Sequence, residues 1–283
     1  MEYRIDGIKY NIFDPTGNIT ALVETPVAVE AQPGLAERIM EKHPHVEQVG
    51  FVRKLYDKEN GFDMELRMAG GEFCGNASMC AGVWYTEQMT KEGPVRGTEA
   101  DRNQAKKVVL RVSGAKGPVE VRLSKTAENL YSTTIRMPQA LDITKRSFSV
   151  GNLTEELPVV RLEGISHIII QSDPMYSLLM GDCKTAGKTV REWCGQLNAE
   201  GLGLMFLQKE SEEYVLTPLV YVPGSGTVFW ENSCASGSCA VAMYLTTRFG
   251  KKVDVTLREP GGVLRVVCDP AVPGAWLEGR VRM

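Results

Sequence analysis

Two stretches of the chain decide the fold: CGNASMCAGVWY at residues 74–85 and CASGSCAVAMY at residues 234–244. Each opens with a cysteine and small residues, and each then carries a Cys-Ala pair, three further residues and a tyrosine. The apolar run in each stretch is long enough for a buried helix. The sequence therefore predicts two buried helices, each with a cysteine at its start.

The same elements are predicted upstream of both stretches. In each half the order is an amphipathic helix, two strands and a turn, which indicates an internal duplication. The predicted helices are 35–43 and 185–197, and the predicted strands are 49–55, 64–68, 204–207 and 214–222. Residues 125–128, which include the charged Lys125 and Glu128, interrupt the pattern after a hairpin predicted at 108–123, so we expect the boundary between the halves at about residue 125.

Composition excludes several classes of protein. The chain has 283 residues, 43% of them hydrophobic and 24% charged, which is typical of globular domains and argues against disorder. A net charge of −3, with scattered basic residues, does not favour nucleic-acid binding. No apolar stretch is long enough to span a bilayer, and the first residues do not resemble a signal peptide. We therefore expect a cytoplasmic protein without nucleic-acid or membrane partners.

The seven cysteines are an odd number, and no Cys-x-x-Cys unit occurs. A disulfide framework and a zinc ribbon are therefore both disfavoured. His43 and His45 could form a metal pair, but no third ligand lies nearby in the sequence. We expect no metal site.

A cysteine at a helix start has a specific chemical environment. The first four N–H groups of a helix lack intrahelical partners, and with the helix dipole they favour a bound carboxylate. The same field should lower the pKa of a thiol. If the two halves face each other, Cys74 and Cys234 could act on one small carboxylate ligand. One thiolate would remove a Cα proton and the other thiol would return one, as racemisation requires. The remaining cysteines are interpreted as buried structural residues.

At these residues the sequence resembles the diaminopimelate epimerase superfamily, which includes proline racemases and phenazine-biosynthesis isomerases. Residues 72–77, EFCGNA, look like the epimerase Cys-Gly-Asn-Gly motif, and residues 230–238, WENSCASGS, look like its Cys-Gly-Thr-Gly motif. Weaker similarities occur at residues 17–18, 47–48, 164–167 and 260–262.

The resemblance implies a mixed α/β (α+β) fold with two pseudo-symmetric domains. Each domain would be a curled, mostly antiparallel sheet around a central helix, with the active site between the domains. We expect the N-terminal domain to span residues 1–125 plus 275–283, because the last strand returns to it, and the C-terminal domain to span 126–274. The resemblance also implies that no cofactor is used. Related enzymes are often dimers, so a homodimer is an expected assembly.

The resemblance also assigns roles to individual residues. Cys74 and Cys234 match the two acid/base cysteines. The other matches are to substrate-binding positions: the backbone donors Gly75, Asn76, Ala235 and Ser236 for the α-carboxylate, the polar residues Asn18 and Gln48, and the acidic residue Glu231 for the amine.

Departures from the epimerase pattern bear on the substrate. Asn232 stands where epimerases have an arginine, and Ile165 stands where they have an asparagine. A further asparagine of the epimerases corresponds to a position at or near Gly203 of this chain. A distal carboxylate would lose its bidentate partner. The sequence therefore predicts a cofactor-independent amino-acid racemase or epimerase whose substrate is not diaminopimelate, with histidine as the leading candidate.

Other functions stay open at this point. A phenazine-type isomerase or a hydroxyproline-type epimerase or dehydratase would share the fold, although retention of both cysteines favours racemisation. Diaminopimelate epimerase itself is a further alternative. A binding protein that kept the fold without catalysis would be expected to have lost one of the two cysteines.

Overall fold

The computed structural model describes residues 2–55, 61–92, 105–171, 173–211, 213–224 and 226–283. The chain divides into two compact units. The first comprises Met1–Arg136 and Glu278–Met283, and the second comprises Met137–Leu277. None of the helices in the described ranges is both long enough and apolar enough to cross a membrane.

The first unit combines strands from both ends of the chain. Its elements are β1 (Glu2–Ile5), β2 (Ile8–Pro15), β3 (Thr20–Val23), a 3-10 turn (Val29–Ala31), α1 (Gln32–Lys42), β4 (Gln48–Lys54), β5 (Met64–Met68), α2 (Gly75–Glu92), β6 (Lys106–Val112), β7 (Val119–Ala127), β8 (Leu130–Met137) and most of β17 (Ala275–Arg282).

The sheet of the first unit curls around α2. Neighbouring strands from β2 to β8 pair in sequence order, with β3–β4 and β5–β6 parallel and the other pairs antiparallel. β17 pairs with β8 and also with β2, which closes the ring. Every residue of α2 from Gly75 to Trp84 is buried, as expected for a helix that is apolar on all sides. The curled sheet thus fixes the start of α2, where Cys74 stands.

The second unit repeats this plan. Its elements are β9 (Asp142–Val150), β10 (Leu153–Leu162), β11 (Ile165–Ile170), α3 (Asp173–Gly181), α4 (Cys183–Leu197), β12 (Leu202–Glu210), β13 (Glu213–Val222), β14 (Thr227–Trp230), α5 (Ala235–Phe249), β15 (Val253–Glu259) and β16 (Gly262–Cys268).

Parallel and antiparallel pairs occur at corresponding places in the two units. β11–β12 and β13–β15 are parallel, as β3–β4 and β5–β6 are, and the other pairs of the second unit are antiparallel. α5 contacts β10, β11, β12, β15 and β16, as α2 contacts the strands of the first unit. The predicted fold class is confirmed. The predicted elements upstream of both cysteines are also present, with ends shifted by up to three residues.

The division between the units differs from the expected one. It follows Arg136 rather than Lys125, and the C-terminal part of the first unit begins at Glu278 rather than Ala275. Residues 125–128, which include the charged Lys125 and Glu128, lie at the exposed end of the β7–β8 hairpin. Charged side chains are stable in solvent there, so they do not mark the end of a domain. A boundary at residue 125 would cut through β7.

Candidate active site

The first half-site is formed around Cys74, directly before α2. The backbone N–H of Ala77 points at the Sγ of Cys74 across 3.4 Å, and the thiol donates to the Oε1 of Gln48 across 2.9 Å. The Ser78 hydroxyl donates to the carbonyl oxygen of Cys74 at 2.7 Å and fixes the first turn. The half-buried thiol therefore contacts both a helix-start N–H and a neutral amide.

Gln48 and Asn18 belong to one hydrogen-bonded network. The Nε2 of Gln48 donates to the Oγ1 of Thr20 at 2.7 Å, and that hydroxyl donates to the backbone oxygen of Asn18 at 3.0 Å. The Nδ2 of Asn18 donates to Glu47 at 2.8 Å. Because Thr20 and Gln48 are partners in the parallel pair β3–β4, the sheet itself brings these polar groups to Cys74.

The second half-site is formed around Cys234, the N-cap residue of α5. The backbone N–H of Gly237 lies 3.4 Å from the Sγ of Cys234, and the Oγ of Ser236 lies 3.6 Å from it. A Cβ at residue 237 would lie 3.1 Å from this sulfur and would collide with Met205. Glycine is therefore required where the thiol approaches the backbone.

Burial controls the acidity of Cys234. Its side chain is only 5% exposed, and burial raises the pKa of the thiol well above its usual value. The carboxyl groups of Glu231 and Glu259 raise this pKa further. The expectation that the helix start lowers the pKa is therefore wrong for Cys234, because desolvation and two nearby carboxyl groups outweigh the partial positive charge of the helix end.

The other predicted site residues lie close to these thiols in sequence and in space. Gly75, Asn76 and Ala235 are buried in the first turns of their helices. Glu231 is half-buried, and its backbone N–H donates to the carbonyl oxygen of Pro218 at 3.0 Å. The exposed Asn232 accepts a 2.7 Å hydrogen bond from Gly261 through its backbone oxygen.

Sequence reasoning missed His167 as a site residue. Its ring is fully buried, and its Nε2 lies 3.0 Å from the Oγ of Ser236. Burial lowers the pKa of His167 to about 3, so the imidazole is neutral. Within the described part of the chain its Nδ1 has no hydrogen-bond partner, and it faces Gly203. The available signal was the turn at residues 164–167, in which His167 occupies the histidine position of the Gly-Asn-Pro-His turn that it resembles.

Sequence reasoning also missed Glu259. This residue ends β15 and is 4% exposed, and it accepts a 2.7 Å hydrogen bond from the backbone N–H of Cys234. The available signal was its position before Pro260-Gly261-Gly262, a sequence that otherwise suggests only a turn. Among the described residues, no group of three or more His, Cys, Asp or Glu side chains is placed to hold a metal ion.

The chain is similar to known histidine racemases over most of its length. The family model described as the histidine racemase CntK N-terminal domain matches residues 5–279. The chain belongs to this family. It is 26% identical to the histidine racemase of Staphylococcus aureus over 261 residues, which is 92% of this chain and 88% of that protein. It is 29% identical to a histidine racemase of Fusobacterium nucleatum over 253 residues, with coverage of 87% and 83%.

Solved structures support the fold. The hydroxyproline epimerase of Agrobacterium vitis, with bound trans-4-hydroxy-L-proline, superposes with a TM-score of 0.66 at 13% identity, covering 97% of this chain and 90% of that chain. The predicted membership of the racemase and epimerase superfamily is confirmed. The protein is an isomerase of the racemase and epimerase type.

Proposed function

We propose that the protein racemises histidine without a cofactor, with Cys74 and Cys234 as its two acid/base groups. One observation carries this assignment: each thiol precedes a buried central helix and receives a backbone N–H from the third residue after it. The distances are 3.4 Å for Ala77 and 3.4 Å for Gly237. A duplicated placement of this kind suits a reaction in which two thiols exchange roles.

The proton steps balance between the two thiols. A thiolate at one cysteine takes the proton from Cα, and the electron pair left behind spreads into the α-carboxylate as an enediolate. The thiol of the other cysteine then donates its proton to the opposite face of Cα. The first cysteine ends as a thiol and the second as a thiolate, so the next turnover starts from the other enantiomer or after proton exchange with water.

Stabilising the enediolate is the difficult part, because the Cα proton is weakly acidic. The first turns of the two central helices provide backbone N–H groups: those of Gly75 and Asn76 in α2, and those of Ala235 and Ser236 in α5. Helix-start N–H groups bind carboxylates and favour additional negative charge as it develops. We assign them to the substrate carboxylate, Glu231 to its amine, and Asn18 and Gln48 to the polar groups around Cα.

Histidine is the proposed substrate for two reasons. The relatives from Staphylococcus aureus and Fusobacterium nucleatum are named histidine racemases. Asn232 and Ile165 also replace the groups that would hold a distal carboxylate, so the site suits an uncharged side chain. The cytoplasmic location, the homodimer and the lack of nucleic-acid and membrane partners stay predictions from the sequence.

Chiral chromatography of purified, reduced enzyme tests the function. The enzyme is incubated without pyridoxal phosphate with L-histidine, L-proline, trans-4-hydroxy-L-proline or LL-diaminopimelate. We expect D-histidine to form, with the other three turned over far more slowly. Cys183→Ser is the matched control, because Cys183 also begins a helix but is exposed, contrary to the expectation that it is buried. This variant should keep the activity, whereas Cys74→Ser and Cys234→Ser should lose it. Faster conversion of any other substrate, or full activity of either serine variant, would contradict the proposal.

A further inference from the structure

Glu259 supports the first turn of α5 from the neighbouring strand. Its Oε2 accepts the 2.7 Å hydrogen bond from the backbone N–H of Cys234, and its Oε1 accepts a hydrogen bond from the hydroxyl of Ser238. These two donors lie four residues apart, so the carboxyl group spans the turn that carries the thiol. The side chain is almost fully buried, and its position is therefore fixed.

The first unit supports its cysteine differently. Ser78 corresponds to Ser238, but its hydroxyl donates to the carbonyl oxygen of Cys74 at 2.7 Å. After the corresponding strand β6, Ser113 donates to the backbone oxygen of Glu72 at 2.8 Å. Both of these supports are neutral hydroxyl groups. Since hydroxyl groups occupy the corresponding positions of the first unit, the repeated fold alone does not explain a carboxyl group at residue 259.

The surroundings of Glu259 place its ionisation near neutral pH. Burial raises the pKa of its carboxyl group to about 8, with a smaller contribution from Glu231. The titratable groups around Glu259 are Cys234, Glu231 and the fully buried Cys239, which neighbours Cys268. The neutral ring of His167 contacts the hydroxyl of Ser236, which in turn contacts the thiol of Cys234. The ionised carboxylate opposes a thiolate at Cys234, whereas the neutral acid does not.

We propose that Glu259 is a positioning residue that holds Cys234 at the start of α5 and, by gaining or losing its own proton, controls how readily this thiol ionises. The two half-sites are then chemically unequal, because Ser78 and Ser113 contribute hydroxyl groups where Glu259 contributes a carboxyl group in the second unit. The catalytic consequence rests on the proposed function, since it requires Cys234 to serve as a base in one direction of racemisation. The effect of Glu259 on the ionisation of the Cys234 thiol is independent of the proposed function.

The test follows alkylation of Cys234 by iodoacetamide as a function of pH, with each cysteine-containing peptide quantified by mass spectrometry. In Glu259→Gln, the amide oxygen can still accept from Cys234 and the amide nitrogen can donate to Ser238, but the ionisable group is gone. We expect Cys234 of this variant to be alkylated about tenfold faster than in the wild type above pH 8, which corresponds to one pKa unit, with Cys74 unchanged.

Asp254→Asn is the matched control, because Asp254 lies on the same strand but is exposed and paired with Arg265. It should leave the alkylation profile of Cys234 unchanged. Superimposable profiles for the wild type and Glu259→Gln would overturn the proposal. If Glu259→Gln does not fold, the wild-type protein provides the test. The proposal requires two inflections in the plot of its Cys234 alkylation rate against pH, and a single inflection would contradict it. None of these measurements needs turnover, so they remain separate from failure of the proposed function.

Discussion

The thiol of Cys74 donates a hydrogen bond across 2.9 Å to the Oε1 of Gln48, while the Nε2 of that amide is held by Thr20 at 2.7 Å. Gln48 therefore presents a fixed, uncharged acceptor to the sulfur. This amide oxygen opposes a thiolate less strongly than a carboxylate at the same distance would, because it carries only a partial negative charge.

Gln48→Glu should therefore weaken Cys74 as a base. A negative charge beside the sulfur disfavours the thiolate, so we expect alkylation of Cys74 at neutral pH to slow about tenfold. Racemisation in the direction that uses Cys74 as the base should shift to higher pH. Gln48→Met is the neutral control of similar size and should not show this shift. A Cys74 alkylation profile of Gln48→Glu that matches the wild type would contradict the assignment.

Gly203→Ala should destabilise the second unit. A Cβ at this position would lie 2.7 Å from the Cε of Met205 and closer still to the ring of His167, both of which are fully buried. Crowding of this kind costs about 1–3 kcal/mol in the free energy of unfolding, which chemical denaturation would measure.

Gly201→Ala is the control for Gly203→Ala, since its Cβ would meet other atoms only at 3.4 Å or beyond. We expect it to cost less. Equal stability losses in the two variants would show that contact with His167 is not the cause. If Gly203→Ala still folds, it should also have a raised KM, because the displaced imidazole of His167 no longer holds Ser236 in place.

Because His167 is buried and neutral, the folded protein should lose stability in acid. Its pKa in the folded protein is about 3, below the value of 6.5 for an unperturbed histidine. The unfolded chain therefore binds a proton below pH 6.5 that the folded chain does not bind until about pH 3. Its contribution to stability is fully present above pH 6.5 and falls as the pH drops from 6.5 towards 3.

His167→Gln should remove this part of the pH dependence, because a glutamine amide can still donate to Ser236 but does not titrate. Thermal unfolding of both proteins between pH 7 and pH 4 would measure it. We expect the Tm of the wild type to fall more steeply than that of the variant. Parallel curves would contradict the buried, neutral state of the ring. His45→Gln serves as the control, because the side chain of His45 is exposed.

Local sequence signals were sufficient to predict the parts of the site that lie along one element. Cys74 and Cys234 could be placed at helix starts because small residues and an apolar run follow each of them directly. Gln48 could be associated with Cys74 only through the resemblance, whereas the pairing of β3 with β4 explains why Thr20 holds the amide of Gln48.

The remaining features depend on contacts between residues far apart in the sequence. His167 and Ser236 are separated by 69 positions, and Cys234 and Glu259 by 25. The raised pKa of Cys234 follows from its burial and its carboxyl neighbours, neither of which the motif reveals. The compact units divide after Arg136 rather than at residue 125 for a related reason, because a hairpin end with charged residues resembles a linker until the strand pairing is known.

The distribution of deuterium during racemisation tests the central claim most directly. L-histidine is incubated with the enzyme in D2O, and the Cα isotope of both enantiomers is measured at low conversion. If one thiol removes the proton and the other returns one, the D-histidine carries deuterium while the recovered L-histidine keeps protium, and the reverse holds when D-histidine is the substrate. Protium transferred from substrate to product would show that a single group serves both faces of Cα, and the two-thiol account would then be wrong.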